Sequence, residues 1–217
     1  MQESESRRPL KVRSVKIVQN FATWLSRKNV SPNQISVTSI FFAGLAAASL
    51  FTLPYAHGMY QWVLPLAAAV YIQCRLLCNL FDGMVAVEGG KSTASGEMYN
   101  DIPDRIADPL ILVAVGYATD VTACSVELGW CAGLLAVVTA YIRNLAVGMG
   151  VPPDFRGPMA KQHRMALVTV ACVASAAEPL LGNQGWVFFV TLCLIIVGCV
   201  ITAWRRILGA YNYLEKK

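Results

Sequence analysis

N-L-F-D-G-M-V-A-V-E-G-G-K-S-T-A-S-G-E-M-Y-N-D-I-P-D-R-I-A-D, running from Asn79 to Asp108, sets carboxylates and carboxamides where one apolar segment ends and the next begins. Ionised groups at membrane depth are expensive, so a chain that gathers them there has a task for them and a cation to neutralise them. A divalent metal is the economical choice.

Working outward, the flanking sequence is that of a membrane protein. Of 217 residues 56% are apolar and only 14% charged, too little charge for an ordinary soluble domain. Apolar runs near the length of a bilayer crossing occupy residues 35–53, 62–81, 102–118, 128–147, 165–181 and 186–204. The fold expected is all-α and integral to the membrane, with six transmembrane helices. The third and fifth runs are short, so their helices extend into polar flanks, the third from near Glu97.

Charge orients this array. The 18 Lys and Arg residues fall on one side: before the first span, in the second-to-third connection with Lys91 and Arg105, around Arg143, Arg156, Lys161 and Arg164, and after the sixth span at Arg205, Arg206, Lys216 and Lys217. Arg75 lies inside the second span toward the same end. The opposite loops carry Asp120, Glu127, Glu178 and His57 but no Lys or Arg. The positive-inside rule then makes both termini cytoplasmic, and the acidic stretch with them.

The polar, basic amino terminus lacks the apolar core of a cleavable leader. Residues 1–30 are expected to form a cytoplasmic segment whose Leu10 to Leu25 portion is an amphipathic interfacial helix, with Leu10, Ile17, Val18, Phe21, Trp24 and Leu25 near one face and Lys11, Arg13 and Lys16 elsewhere. Ser31-Pro32-Asn33 breaks the chain and caps the first span. Residues 31–217 form one six-helix domain. The seven cysteines are scattered through the spans and read as small buried hydrophobes rather than disulfides or a zinc site.

Helical spacing puts Asn79 and Asp82 on one face of the second span and most of Glu97, Asn100, Asp101, Asp104 and Asp108 along one stripe of the third. Two such stripes meeting at one depth make a metal site. Hard oxygen ligands without His or thiolate favour Mg²⁺ or Mn²⁺, and the number of oxygens allows more than one ion. The small-residue loop of Gly83, Gly89, Gly90, Ser92, Thr93, Ser95 and Gly96 lets backbone approach a phosphate or nucleotide. Arg75 is expected to pair with a carboxylate or snorkel, in a structural role.

This arrangement resembles the CDP-alcohol phosphotransferase family, whose pattern is Asp-x2-Asp-Gly-x2-Ala-Arg-x8-Gly-x3-Asp-x3-Asp on the second and third of six membrane helices. The matching positions are Asn79, Asp82, Gly83, Ala86, Val87, Gly96, Asn100 and Asp104, with every spacing kept. Asn stands at the first and third aspartate positions and Val87 at the arginine. Each Asn removes a negative charge, for which Glu97, Asp101 and Asp108 offer compensation.

The resemblance implies transfer of a substituted phosphoryl group from a CDP-linked lipid, such as CDP-diacylglycerol, to a small alcohol with release of CMP, in phospholipid biosynthesis. It implies Asp104 as the base that takes the acceptor's proton, Asp82 as the principal metal ligand with Asn79, Asn100, Asp101, Asp104 and Asp108 around it, and Gly83, Ala86, Ser95 and Gly96 beside the CDP. In members that use phosphorylated polyols, basic residues hold the acceptor phosphate; Arg143, Lys161 and Arg164 are the candidates here. The reading against them is that they satisfy the positive-inside rule and touch anionic headgroups, which applies more strongly to Arg205 and Arg206. His163 reads as a headgroup or surface residue.

Partners expected are a CDP-lipid donor, a small alcohol acceptor and the bilayer, with no nucleic acid. Small residues at Gly44, Ala46, Ala47 and Ala48 permit a homodimer or internal packing. Three rivals share the sequence: transfer from CDP-choline or CDP-ethanolamine to diacylglycerol, a non-catalytic CDP-lipid binder, and an ion-coupled transporter. The last expects acids at the bilayer midplane, whereas these cluster at one edge.

Overall fold

Ser31 and Gln34 begin the first long helix by capping each other. Ser31 Oγ accepts from the Gln34 backbone N–H at 3.2 Å and Gln34 Oε1 accepts from the Ser31 N–H at 3.0 Å, while Pro32 takes the first helical position, where no N–H is needed. Just before, the chain turns at Asn29, whose φ of 57° is a left-handed conformation that asparagine tolerates.

The computed structural model describes residues 16–87, 89–90, 95–182 and 185–216, and among them the regular structure is helical. The helices are α1 (Lys16–Arg27), α2 (Pro32–Thr52), α3 (Tyr60–Val87), α4 (Gly96–Tyr117), α5 (Ser125–Gly148), α6 (Lys161–Ser175) and α7 (Trp186–Leu214), with 3₁₀ turns at Leu53–Tyr55 and Glu178–Leu181. Leu10, Lys11 and Arg13 of the expected interfacial helix lie outside the described residues, as do the side chains of Ile17 and Glu97.

Four helices are long and apolar enough to cross a membrane: Pro32–Tyr55, Tyr60–Val87, Ser125–Gly148 and Trp186–Leu214. Less than half of each apolar window is buried, and α7 turns Val190, Leu194, Val197, Ile201 and Leu208 outward. Such faces suit lipid rather than water. The other two expected spans differ for physical reasons. Helix α4 starts at Gly96, close to the expected Glu97, but carries Asp101, Asp104, Arg105 and Asp108 in its first turns. Helix α6 starts at Lys161 rather than Met165 and ends at Ser175 after 15 residues, a rise of about 22 Å against a hydrocarbon core of about 30 Å.

Packing divides the chain into two units. The first holds the described residues of 1–42 and 74–104. In it Ala22 of α1 packs against Leu80 and Met84 of α3, flanked by Val18 and Phe81, and the Phe21 ring lies 4.8 Å from that of Phe81. Phe21 and Trp24 are nevertheless 45% and 51% exposed, so α1 divides its apolar surface between α3 and its surroundings. A Cβ on Gly89 would run into the Val85 carbonyl oxygen and stand 2.7 Å from Ser26 Oγ. Glycine at 89 is thus required by packing within the protein.

The second unit holds residues 43–73 and the described residues of 105–217. Here α4 and α5 approach through Gly116 and Gly129: a Cβ on Gly116 would lie 2.8 Å from the Gly129 Cα, the close backbone contact that small residues permit. The Glu178 carboxylate accepts from the N–H groups of Gly185 and Val187 at 3.2 and 2.9 Å, satisfying the start of α7. Because the clash at Gly116 is with backbone, Gly116→Ala should cost about 1–3 kcal/mol of overpacking. The expected readout is a lower unfolding midpoint in detergent, with Gly116→Leu lower still.

All seven cysteines are free. Cys172 and Cys199 are buried as expected, but Cys124 and Cys131 are exposed, so burial describes only part of the set.

Candidate active site

The acids expected from the sequence are divided between the two units. In the first unit, Asn79 and Asp82 lie one turn apart on α3 and Asp104 lies on α4. Asp82 is 3% exposed and Asp104 6%, while Arg75, one turn before Asn79, is fully buried. Burying a carboxylate without compensation is prohibitive, and the chain provides it. Arg75 Nη2 donates to Asp104 Oδ1 at 2.8 Å, and Asn79 Nδ2 donates to the same oxygen at 2.8 Å. The expected pairing of Arg75 with a carboxylate is therefore present, and Asp104 is its partner.

Asp82 is held from α2. Ser36 Oγ, itself buried, donates to Asp82 Oδ2 at 2.6 Å. Sequence reading missed Ser36; its only signal is a hydroxyl inside an apolar run, four residues after the Pro32 that begins the helix. The other expected ligands lie on α4. Asn100 is exposed and Asp101 half-buried. Gly83 and Ala86 are half-buried on α3, Ser95 is exposed, and Gly96 is half-buried at the start of α4. Ser92 and Thr93 lie outside the described residues. Among the described residues no group of three or more His, Cys, Asp or Glu side chains gathers as a metal-ligand set.

Asp108, four residues after Asp104 on α4, has a different partner in the second unit. It accepts from Arg164 Nη2 at 3.2 Å, with both side chains 3% exposed or less. Arg164 Nη1 also donates to the Met159 carbonyl at 2.9 Å and to Thr139 Oγ1 at 3.3 Å. Two residues expected in different roles, metal ligand and acceptor ligand, thus hold each other.

Arg206, read from the sequence as a headgroup residue, is buried. It donates to the Thr139 carbonyl at 2.6 Å and to the Arg156 carbonyl at 3.3 Å. Its neighbour Arg205 is exposed. The loop before α6 is fastened to α7 at further points: Thr202 Oγ1 accepts from the Met159 N–H at 3.0 Å, and Gly157, at φ 129°, has Thr202 where a Cβ would go.

Arg143 places its guanidinium 5.5 Å from the Phe155 ring centre, a cation–π contact, and Lys161 is half-buried at the start of α6. On the same loop, burial alone would raise the Asp154 carboxyl, but hydrogen bonds from the Arg156 side chain and backbone hold it below the usual carboxylate range.

No protein-family model matches the sequence, and no curated protein matches it. The fold is similar to that of Mycobacterium tuberculosis phosphatidylinositol phosphate synthase (PgsA1). Against its crystal structure with CDP-DAG bound, the TM-score is 0.72 at 19% identity, covering 91% of this chain and 94% of that one. Against its complex with manganese and citrate, the TM-score is 0.71 at 20% identity, covering 89% and 88%.

Proposed function

We propose that this chain is a divergent CDP-alcohol phosphotransferase that moves a phosphatidyl group from CDP-diacylglycerol to the hydroxyl of a small alcohol and releases CMP. The observation that carries the reading is the Asn79–Asp104 hydrogen bond. It joins the first and last positions of the family pattern, 25 residues apart, in a fold similar to that of a protein that binds CDP-DAG. Six spans, cytoplasmic termini and a site beneath the inner headgroups complete the reading, supported by the one-sided distribution of Lys and Arg.

Carboxylate and carboxamide oxygens are the donor chemistry that suits Mg²⁺ or Mn²⁺, and the similar structure with manganese supports such an ion. Asp82 on α3 is the residue that would hold it, with Asn100 and Asp101 on α4 as the further oxygen donors of this reading. Bound there, a divalent ion supplies charge to the donor's pyrophosphate and stabilises the leaving phosphate. The chain's own residues supply position. Ser36 fixes the rotamer of Asp82, and Arg75 with Asn79 fixes that of Asp104, which in this reading takes the acceptor's proton as the hydroxyl attacks phosphorus. Gly83, Ala86, Ser95 and Gly96 leave room for the nucleotide. Arg143 and Lys161 receive the acceptor, and Arg164, held by Asp108, orients the loop that carries it.

The deciding assay offers the purified chain CDP-diacylglycerol with Mg²⁺ or Mn²⁺ and a panel of glycerol phosphate, inositol phosphate, inositol, serine and glycerol. Metal-dependent CMP release with one acceptor is expected. The Asn residues at 79 and 100 favour one rival, a non-catalytic CDP-lipid binder; thermal stabilisation by CDP-diacylglycerol with no CMP from any acceptor would establish it. CMP release from CDP-choline or CDP-ethanolamine with diacylglycerol would reverse the donor assignment.

A further inference from the structure

The acidic stretch offers oxygens for more than one ion, yet Asp104, one of its buried members, is already supplied with a cation by the chain itself. Arg75 is fully buried and Asp104 nearly so, and their 2.8 Å contact puts a permanent positive charge on the carboxylate that closes the family pattern. Arginine cannot surrender that charge by deprotonation.

The second donor on the same oxygen sharpens the point. An ionised carboxylate only accepts hydrogen bonds, so Asn79 must present its amide N–H₂, not its carbonyl, to Asp104 Oδ1. The family pattern has aspartate at this position. An aspartate oxygen 2.8 Å from Asp104 Oδ1 would set two anionic oxygens in contact, a state that needs a shared proton or a cation between them. With Asn79 in place the need disappears, because the amide N–H makes the bond directly. Arg75 offsets the charge of Asp104, whereas Ser36, the partner described for Asp82, carries none, so Asp82 keeps a negative charge. That suffices to attract one divalent ion to Asp82, whereas a second ion on Asp104 would face the guanidinium at close range.

We propose that Arg75, with Asn79, is a resident cation of the site that takes the place of a second metal ion at Asp104, so that the chain binds no more than one divalent ion. This rests on the metal-dependent reading given above, and it makes Arg75 a positioning residue rather than a catalytic one.

The test counts ions. The full chain, purified in detergent, is titrated with Mn²⁺ and the bound fraction read by electron paramagnetic resonance, together with unfolding midpoints with and without Mn²⁺. The wild type is expected to saturate at one ion or fewer per chain. Asn79→Asp is expected to raise the count toward two, since it restores paired carboxylates. Arg75→Met, which leaves Asp104 buried without its cation, is expected to lower the midpoint without metal and to gain more from Mn²⁺ than the wild type does. Two ions per wild-type chain would overturn the proposal, a measurement that does not depend on either variant folding. So would an Arg75→Met protein with the wild-type count and the wild-type response to Mn²⁺. CMP release on the same preparation keeps the two readings apart: two ions with CMP release sinks this inference alone, and one ion with no CMP from any acceptor sinks the proposed activity alone.

Discussion

Asp104→Asn is expected to reduce CMP release by roughly 10²- to 10⁴-fold, the usual contribution of a positioned general base. Asparagine keeps the shape and can still accept the Asn79 amide, but it cannot take a proton from the acceptor. The substitution has a second consequence, which must be separated from the first. Arg75 is fully buried and its 2.8 Å partner is Asp104; removing the carboxylate strands a charge, at a cost of about 3–5 kcal/mol for breaking a buried pair. The single variant should therefore be both inactive and less stable. Adding Arg75→Met removes the stranded charge, so the double variant should recover most of the unfolding midpoint and remain inactive. Recovery of activity with stability would show that Asp104 acts only through the fold, and its assignment as the base would fall. Initial rates at saturating CDP-diacylglycerol, with unfolding midpoints on the same preparations, distinguish the cases.

Much of the helix layout was legible because apolar length is a property of the chain alone. Residues 35–53, 62–81, 128–147 and 186–204 each fall within or nearly within a helix of the observed structure. The boundaries moved where charge and backbone compete. Helix α7 runs on through Arg205 and Arg206 to Leu214, since a helix need not end where its apolar run does. The polar partners were less legible. Periodicity assigns side chains to a face of one helix, but it does not say which other helix that face meets. Asn100, Asp104 and Asp108 share helical spacing, yet one is exposed, one is held by Arg75 and one by Arg164. The bond from Ser36 to Asp82 spans 46 positions and that from Arg206 to Thr139 spans 67, and neither partner announces the other. A buried arginine and an exposed one also look alike in sequence, and Arg206 is buried where its neighbour Arg205 is exposed.

The Asp108–Arg164 pair should show the largest coupling in the second unit. Its side chains are 2% and 3% exposed, so solvent screens them little, and truncating one partner leaves the other charged in a medium that penalises it. Asp108→Asn and Arg164→Met are each expected to cost about 3–5 kcal/mol. The double variant should cost well under the sum, because it leaves no stranded charge. Arg164→Met carries an additional loss, since the same guanidinium holds the Met159 carbonyl at 2.9 Å and so ties down the loop before α6. That loop also carries Phe155, against which Arg143 rests, so acceptor KM should rise in Arg164→Met beyond its rise in Asp108→Asn. Unfolding midpoints for the four proteins of the cycle, and acceptor KM for those that remain folded, give both quantities. Additive stability losses would mean that the pair is not energetically joined. A KM increase in Arg164→Met with the wild-type midpoint would instead make Arg164 a direct acceptor ligand that the fold can spare.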